Sequence, residues 1–244
     1  MKRWIPLLIA LACTILPHCA HAQALNIDLG QNGPGTTSRL VQLTALITVL
    51  SLAPSLLVMV TAFTRIVIVL SLLRSALGAQ GTPPNTVLIG LALFLTLFVM
   101  QPTLQRSWDT GIEPMMSGKI GEMEGLSVAS QPFHDFMAAT ARPADISTFL
   151  NIAHEKPPAK VTDTPWRVLV PAFMVGELRR GFEMGFLLYL PFLVIDLVVS
   201  SVLMSLGMMM LPPSTVSLPF KLIFFVMVDG WALVAGSLVR SFSG

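Results

Sequence analysis

Hydrophobic positions along this chain fall in long runs, not in alternation. Beyond an apolar stretch at the start, four runs follow at about 44–73, 87–104, 185–206 and 218–239. Each is near the ~20 residues that carry a helix across a hydrocarbon core of ~30 Å, so the pattern predicts four membrane-type helices. They pair as two hairpins. The first turns at RSALGAQGTPPN, where Gly78, Gly81, Pro83 and Pro84 stop one helix and Asn85 starts the next. The second turns at LGMMMLPPSTVSLPFK, residues 206–221, which carries no charge before Lys221.

Between the hairpins, residues 105–184 hold most of the charges, mixed in sign, as a soluble domain does. Two amphipathic helices are predicted there. One starts at Pro143, with Ile146, Phe149, Leu150 and Ala153 on one face; the other runs from Pro132 to Ala141, with Phe133, Phe136 and Met137 inward. No strand-type alternation occurs. The expected fold is all-α: an integral membrane-type protein with two long kinked helical hairpins (44–104 and 185–244) and a small helical soluble domain (105–184) inserted between them. Pro54 and Pro191 lie inside apolar runs, where each deletes a backbone hydrogen bond and predicts a kink.

The opening stretch, MKRWIPLLIALACTILPHCAHA, differs from the other runs. Lys2 and Arg3 precede a short apolar core, and Ala20-His21-Ala22 has the small-x-small form read by a signal peptidase, so cleavage is expected between Ala22 and Gln23. That gives a leader over 1–22 and an N-terminal segment over 23–43. Both cysteines, Cys13 and Cys19, lie in the leader, so the mature chain would hold no disulfide and no zinc-thiolate site. Losing Lys2 and Arg3 also takes the formal charge from +2 to zero, which leaves no basic footprint for nucleic acid.

Composition agrees with the pattern. The chain of 244 residues is 54% hydrophobic and 11% charged, with mean hydropathy +0.75, against about 25% charge in a typical soluble domain. The charge distribution is nonetheless odd for a membrane protein. A cleaved leader places the soluble domain on the trans side, so Lys and Arg should mark the two hairpin turns. The first turn offers Arg74 and the second nothing. Either the leader alone sets topology, or the hairpins do not sit in lipid as conventional spans.

Catalytic chemistry is not expected. His18 and His21 leave with the leader, and His134 and His154 lie in the soluble domain, away from the apolar helices. Asp196 and Asp229 lack the preceding glycine of intramembrane aspartyl proteases, and no phosphate-cradling loop is present, so no enzyme, metal or cofactor is predicted. What stands out is charge inside apolar helices: Arg65 in VTAFTRIVIVL, Asp196 in FLVIDLVV, and Lys221 and Asp229 in LPFKLIFFVMVDGW. Each costs about 2.5–3.5 kcal/mol at a helix centre unless it faces protein or water and is paired. Lys221 and Asp229, eight residues apart, would lie toward one side of a single last helix without touching. Partners for Lys221 must then come from Asp196 or Glu177, unless its long side chain snorkels to an interface.

The three methionines, Met208, Met209 and Met210, have two readings. Flexible thioethers at a helix end commonly fill gaps in a core. Here Pro212 pushes Leu211 out of the helical region and Pro213 does the same to Pro212, which places the methionines at a helix terminus or in its loop, on display.

These residues carry a resemblance. The segments FTRIVIVLSLLRSALG, QGTPPN, VLIGLALFLTLFVMQP, PAFMVGELRRGFEMGFLLYLPFLVIDLVVSSVLMSLGMMMLPP and LPFKLIFFVMVDGW closely resemble the FliP family of the flagellar type III export gate, whose injectisome counterpart is SctR. The likeness runs from about Leu43 to Ser241 and is least distinctive over 105–160. It implies a pore-forming homo-oligomer, a pentamer, that winds with FliQ and FliR into a helical funnel held largely above the inner membrane plane. It also implies FlhA and FlhB on the cytoplasmic side, FliO as an assembly helper, and unfolded flagellar proteins as cargo. In that family the methionine loop acts as a gasket, mapping here onto Met208, Met209 and Met210, and charged positions map onto Glu177, Asp196 and Lys221 as pairs between subunits. The cleavable leader favours flagellar over injectisome use. The competing expectation is a small secondary transporter with Asp196, Asp229 and Lys221 as a proton relay, which calls for inverted repeats that the hairpins do not display.

Overall fold

The computed structural model describes residues 44, 47, 48, 51, 52, 55, 58–79, 81–208 and 210–242. The leader with its cleavage site at Ala22 and Gln23, the kink at Pro54 and the central methionine Met209 lie outside the described residues. Among the described residues, every regular element is helical and none is a strand. The elements are α1 (Phe63–Leu77), α2 (Asn85–Ser107), a π-helical turn (Trp108–Ile112), α3 (Glu113–Met116), α4 (Glu122–Thr140), α5 (Pro143–Ile152), a 3-10 turn (Val161–Asp163), α6 (Trp166–Ser205), α7 (Pro213–Met227) and α8 (Gly230–Arg240).

The pairing of α1 with α6 organises everything else. α1 is rich in β-branched residues, which are indifferent helix formers, so its helicity depends on what it buries. Ile66, Val69, Leu70, Leu73, Ala76 and Leu77 recur at helical spacing and are all buried. Close approach to α6 depends on two glycines one turn apart. A Cβ on Gly181 would lie 3.2 Å from the Ile68 Cβ, and one on Gly185 would lie 3.0 Å from the Leu72 Cβ and 2.3 Å from its Cδ1. Small residues at such crossings let helix backbones approach where lipid-like surroundings give no hydrophobic drive. Gly185→Ala is therefore expected to cost about 1–3 kcal/mol through overpacking. It should lower the thermal midpoint of the detergent-extracted protein, whereas Gly90→Ala, with open space around the added Cβ, should not.

Around this pair, α2 covers α1 with Leu88, Ala92 and Met100. α5 lays Ile146 and Leu150 on α6, against Val168, Leu169, Ala172 and Phe173. α7 folds back on α6, where Phe192 and Phe225 stand with ring centroids 6.2 Å apart. α8 leans on α7 and α2. The result leaves large apolar side chains exposed on α2 and α6, Phe94, Phe98, Phe186 and Leu187 among them. Surfaces of this kind are covered by lipid or by other protein.

Among the described residues, two helices are long and apolar enough to cross a membrane, Asn85–Met116 with mean hydropathy 2.1 and Trp166–Ser205 with mean hydropathy 2.3, or three if the bent pair Pro213–Met227 and Gly230–Arg240 is one span. α6 holds 40 residues. At ~1.5 Å per residue it is about 60 Å long, twice a hydrocarbon core of ~30 Å.

Several expectations are corrected. The apolar run 44–73 is not one helix, because residues 60–62 interrupt it before α1 begins. The run 218–239 is broken as well: α7 and α8 meet at a 63° bend. There Asp229 adopts a left-handed backbone, φ 49° and ψ 50°, which aspartate tolerates better than most residues. Gly230 then backs so closely on Phe225 that a Cβ would sit 2.2 Å from its ring. Helices run through both edges expected of the inserted domain, α2 past residue 104 and α6 past residue 184. α6 is continuous through Pro171 and Pro191, with Pro191 inside the helix. α4 starts ten residues before Pro132, and the carbonyl that proline leaves unbonded belongs to exposed Val128, where water can reach it. Ala153 caps α5 and is exposed rather than inward.

The two turns follow the sequence closely. α1 ends at Leu77 with Gly78 left-handed at φ 69°, and α2 starts at Asn85, whose side chain accepts a hydrogen bond from Arg74 across the turn. Pro212 is extended at ψ 120° and Pro213 is the first residue of α7.

Candidate functional site

Arg65 and Glu177 face each other at the α1–α6 crossing, each with only 1% of its side chain exposed. Arg65 Nε donates to Glu177 Oε2 at 2.9 Å and Nη2 donates to Oε1 at 2.5 Å, a two-pronged pair. The remaining arm, Nη1, donates to the Ser241 carbonyl at 3.0 Å and to Ser241 Oγ at 2.8 Å. The guanidinium carbon lies 3.7 Å from the centroid of the Phe242 ring, a cation–π contact. One buried cation thus joins α1, α6 and the residues that follow α8. Only arginine has the planar fork to reach all of them, and a lysine here would leave acceptors unserved.

A second cluster joins the two hairpin turns. Lys221 on α7 is 5% exposed, and its ammonium donates to Asp196 Oδ2 on α6 at 2.6 Å and to the Ala76 carbonyl at 3.0 Å. Ser217, one turn before Lys221, donates its hydroxyl to Asp196 Oδ1 at 2.6 Å. Ala76 stands in the last turn of α1, where carbonyls have no partner within the helix and a cation is favoured. Lys221 therefore does not snorkel; it neutralises an acid and caps a helix at once.

The methionine loop begins where α6 stops. Gly207 is left-handed at φ 73°. Its N–H donates to the Met204 carbonyl at 3.1 Å, and the Met208 N–H donates to the Leu203 carbonyl at 3.0 Å. These two bonds form a Schellman motif, which needs a residue free of Cβ strain at that position. The Leu211 N–H then bonds the Met208 carbonyl at 3.3 Å before Pro212 and Pro213 launch α7. The backbone is pinned while the side chains are displayed: Met208 is 43% exposed and Met210 99%. No charged residue occurs from Leu197 to Phe220. Below the loop an apolar groove of about 470 Å³ runs between α6 and α7, with Val194, Val198, Val202, Val216 and Phe220 along its walls.

Four of the five ionic residues singled out in the sequence are thus brought together in two pairs. They close within a single chain, where the resemblance implied pairs between subunits for Glu177, Asp196 and Lys221. Asp229 departs from the expectation: it lies on the bend between α7 and α8, not two turns along one helix from Lys221, and it is exposed and in no ion pair among the described residues. A relay through Asp196, Lys221 and Asp229 has no geometric basis here. Sequence reasoning missed Ser217, Ser241, Phe242 and Gly207. Only Gly207 carried a signal, a glycine immediately after a long helical run; serines bonding across helices have no local signature.

Comparison with known proteins covers nearly the whole chain. The model of the FliP family matches residues 46–238. The flagellar biosynthetic protein FliP of Caulobacter vibrioides is 57% identical over 239 residues, 98% of this chain and 90% of the relative. The protein of the same name from Agrobacterium fabrum is 47% identical, over 93% of this chain and 95% of its own length. That of Bacillus subtilis is 49% identical, over 86% and 95%.

Proposed function

This chain belongs to the FliP family, and on that premise we propose that it is the pore-forming subunit of the flagellar type III protein export gate, conducting unfolded flagellar proteins across the inner membrane. The observation that carries this reading is the methionine loop, an uncharged turn whose backbone is pinned and whose Met208 and Met210 side chains point outward. Copies converging there would meet through thioethers, which close against water and small ions and still remodel around passing chains. A constriction of this kind also gates by losing its water. The flagellar assignment draws on the names of the relatives rather than on an injectisome counterpart.

The proposed assembly is a homo-oligomer with FliQ and FliR in the bacterial inner membrane and flagellar basal body, contacted by FlhA and FlhB and aided by FliO. Its apolar exposed faces on α2 and α6 suit helix neighbours. The chain does no chemistry of its own in this scheme and needs no cofactor.

The test is substitution of Met208, Met209 and Met210 together by alanine, with the assembled complex isolated alongside its FliQ and FliR neighbours. Normal size on sizing columns with a rise in small-ion leak across vesicles is expected. A complex that assembles and stays as tight as the unsubstituted one would remove the gasket role.

A further inference from the structure

Resting on the reading of the loop as a seal, we propose that Met208 and Met210 form an oxidation-sensitive modification site, whose conversion to sulfoxide by a peroxide loosens the closed gate and whose reduction restores it. The argument starts from sulfur. The chain has no cysteine after Cys19, so thioethers are the sulfur that meets an oxidant along the rest of its length. Buried Met100 and Met137 are shielded, whereas Met210 is almost wholly exposed and Met208 nearly half. Exposure governs which methionines oxidise.

The step is an oxygen-atom transfer. The sulfur lone pair attacks one peroxide oxygen, the O–O bond breaks, the sulfur is oxidised by two electrons and the second oxygen leaves as water. A dithiol-dependent methionine sulfoxide reductase runs it back, the sulfoxide oxygen leaving as water while two thiols join as a disulfide. The loop backbone does not take part: the Met208 N–H bonds the Leu203 carbonyl and its carbonyl receives Leu211, so the backbone that carries the modified side chain stays in place. The new S=O is a strong acceptor, and with no Lys or Arg from Leu197 to Phe220 no cation of this loop can satisfy it. It draws in water, which an apolar seal excludes.

The experiment uses the complex assembled with its partner subunits in vesicles, treated with hydrogen peroxide. Peptide masses should show an increase of about 16 Da per oxygen at Met208 and Met210. Small-ion leak should rise toward that of the alanine variant and fall again after reductase treatment. Met208→Leu, Met209→Leu and Met210→Leu together should lose the oxidant-induced rise, each variant being compared with its own untreated state. Met116→Leu with Met123→Leu, exposed methionines elsewhere, should keep it. The proposal is overturned if sulfoxide forms at the loop without leak, if the loop resists oxidation in the assembly while Met123 oxidises, or if the Leu variant still responds. A leaking alanine variant beside a tight oxidised wild type sinks this inference alone; if neither leaks, the seal itself is refuted.

Discussion

Glu177→Ala is expected to destabilise the protein by about 3–5 kcal/mol, because it strips the partner from an arginine that has nowhere else to put its charge. Arg65 is 1% exposed, so water cannot replace the lost carboxylate. The two donors that served Glu177 are left unsatisfied, while Nη1 stays held by Ser241 and keeps the guanidinium from swinging out. Native stabilities of about 5–15 kcal/mol make this a large fraction of the total. The readout is the thermal midpoint and protease resistance of the detergent-extracted chain, together with its yield in the membrane. Glu177→Gln, which keeps one acceptor, should lose less. Glu183→Ala, which removes the exposed pair with Arg179, should leave the midpoint unchanged, since solvent-exposed ion pairs contribute little. A Glu177→Ala protein as stable as the parent would show that the pair does not hold α1 to α6.

Lys221→Glu should be comparably severe, for a more composite reason. It sets two carboxylates against each other where Lys221 and Asp196 now meet at 2.6 Å, and it turns an acceptor toward the Ala76 carbonyl that the ammonium now satisfies. Asp196→Lys in the same chain should rescue only in part, restoring the ion pair but not the helix cap. Glu177→Lys should not rescue at all, because Glu177 belongs to Arg65. Yield of folded chain and co-elution with partner subunits separate these outcomes. Full rescue by Asp196→Lys would exclude the capping role, and rescue by Glu177→Lys would contradict the pairing seen here.

Much of this was legible in the residues, and the reasons for the rest are physical. Apolar run length located the long helices, and proline and glycine chemistry located both turns, because a helix of this kind needs only apolar length and a stop signal. The cost of an unpaired ion in an apolar helix marked Arg65, Asp196, Lys221 and Asp229 as inward-facing; the first three stand in ion pairs, and Asp229 is exposed. That cost could not say who meets whom, since Arg65 and Glu177 are separated by 112 residues and matched only by the crossing of α1 on α6. The break at Asp229 was missed because hydropathy stays high through it. The Asp-Gly pair was the available clue, a turn dipeptide that outweighs its apolar neighbours. The expected edges of the inserted domain do not coincide with helix ends, because charge content changes at residues 105 and 185 while helix propensity does not. A helix can leave an apolar environment without ending.

That last point gives α6 mechanical leverage. Arg65 holds Glu177 near one end, Lys221 holds Asp196 partway along, and the Schellman turn at Gly207 hangs about 16 Å beyond that second hold. A helix held at two such points carries a shift at either of them to the turn, because nothing along its 40 residues breaks it. The place of the loop is thus set by two buried cations in the core and not by the loop itself.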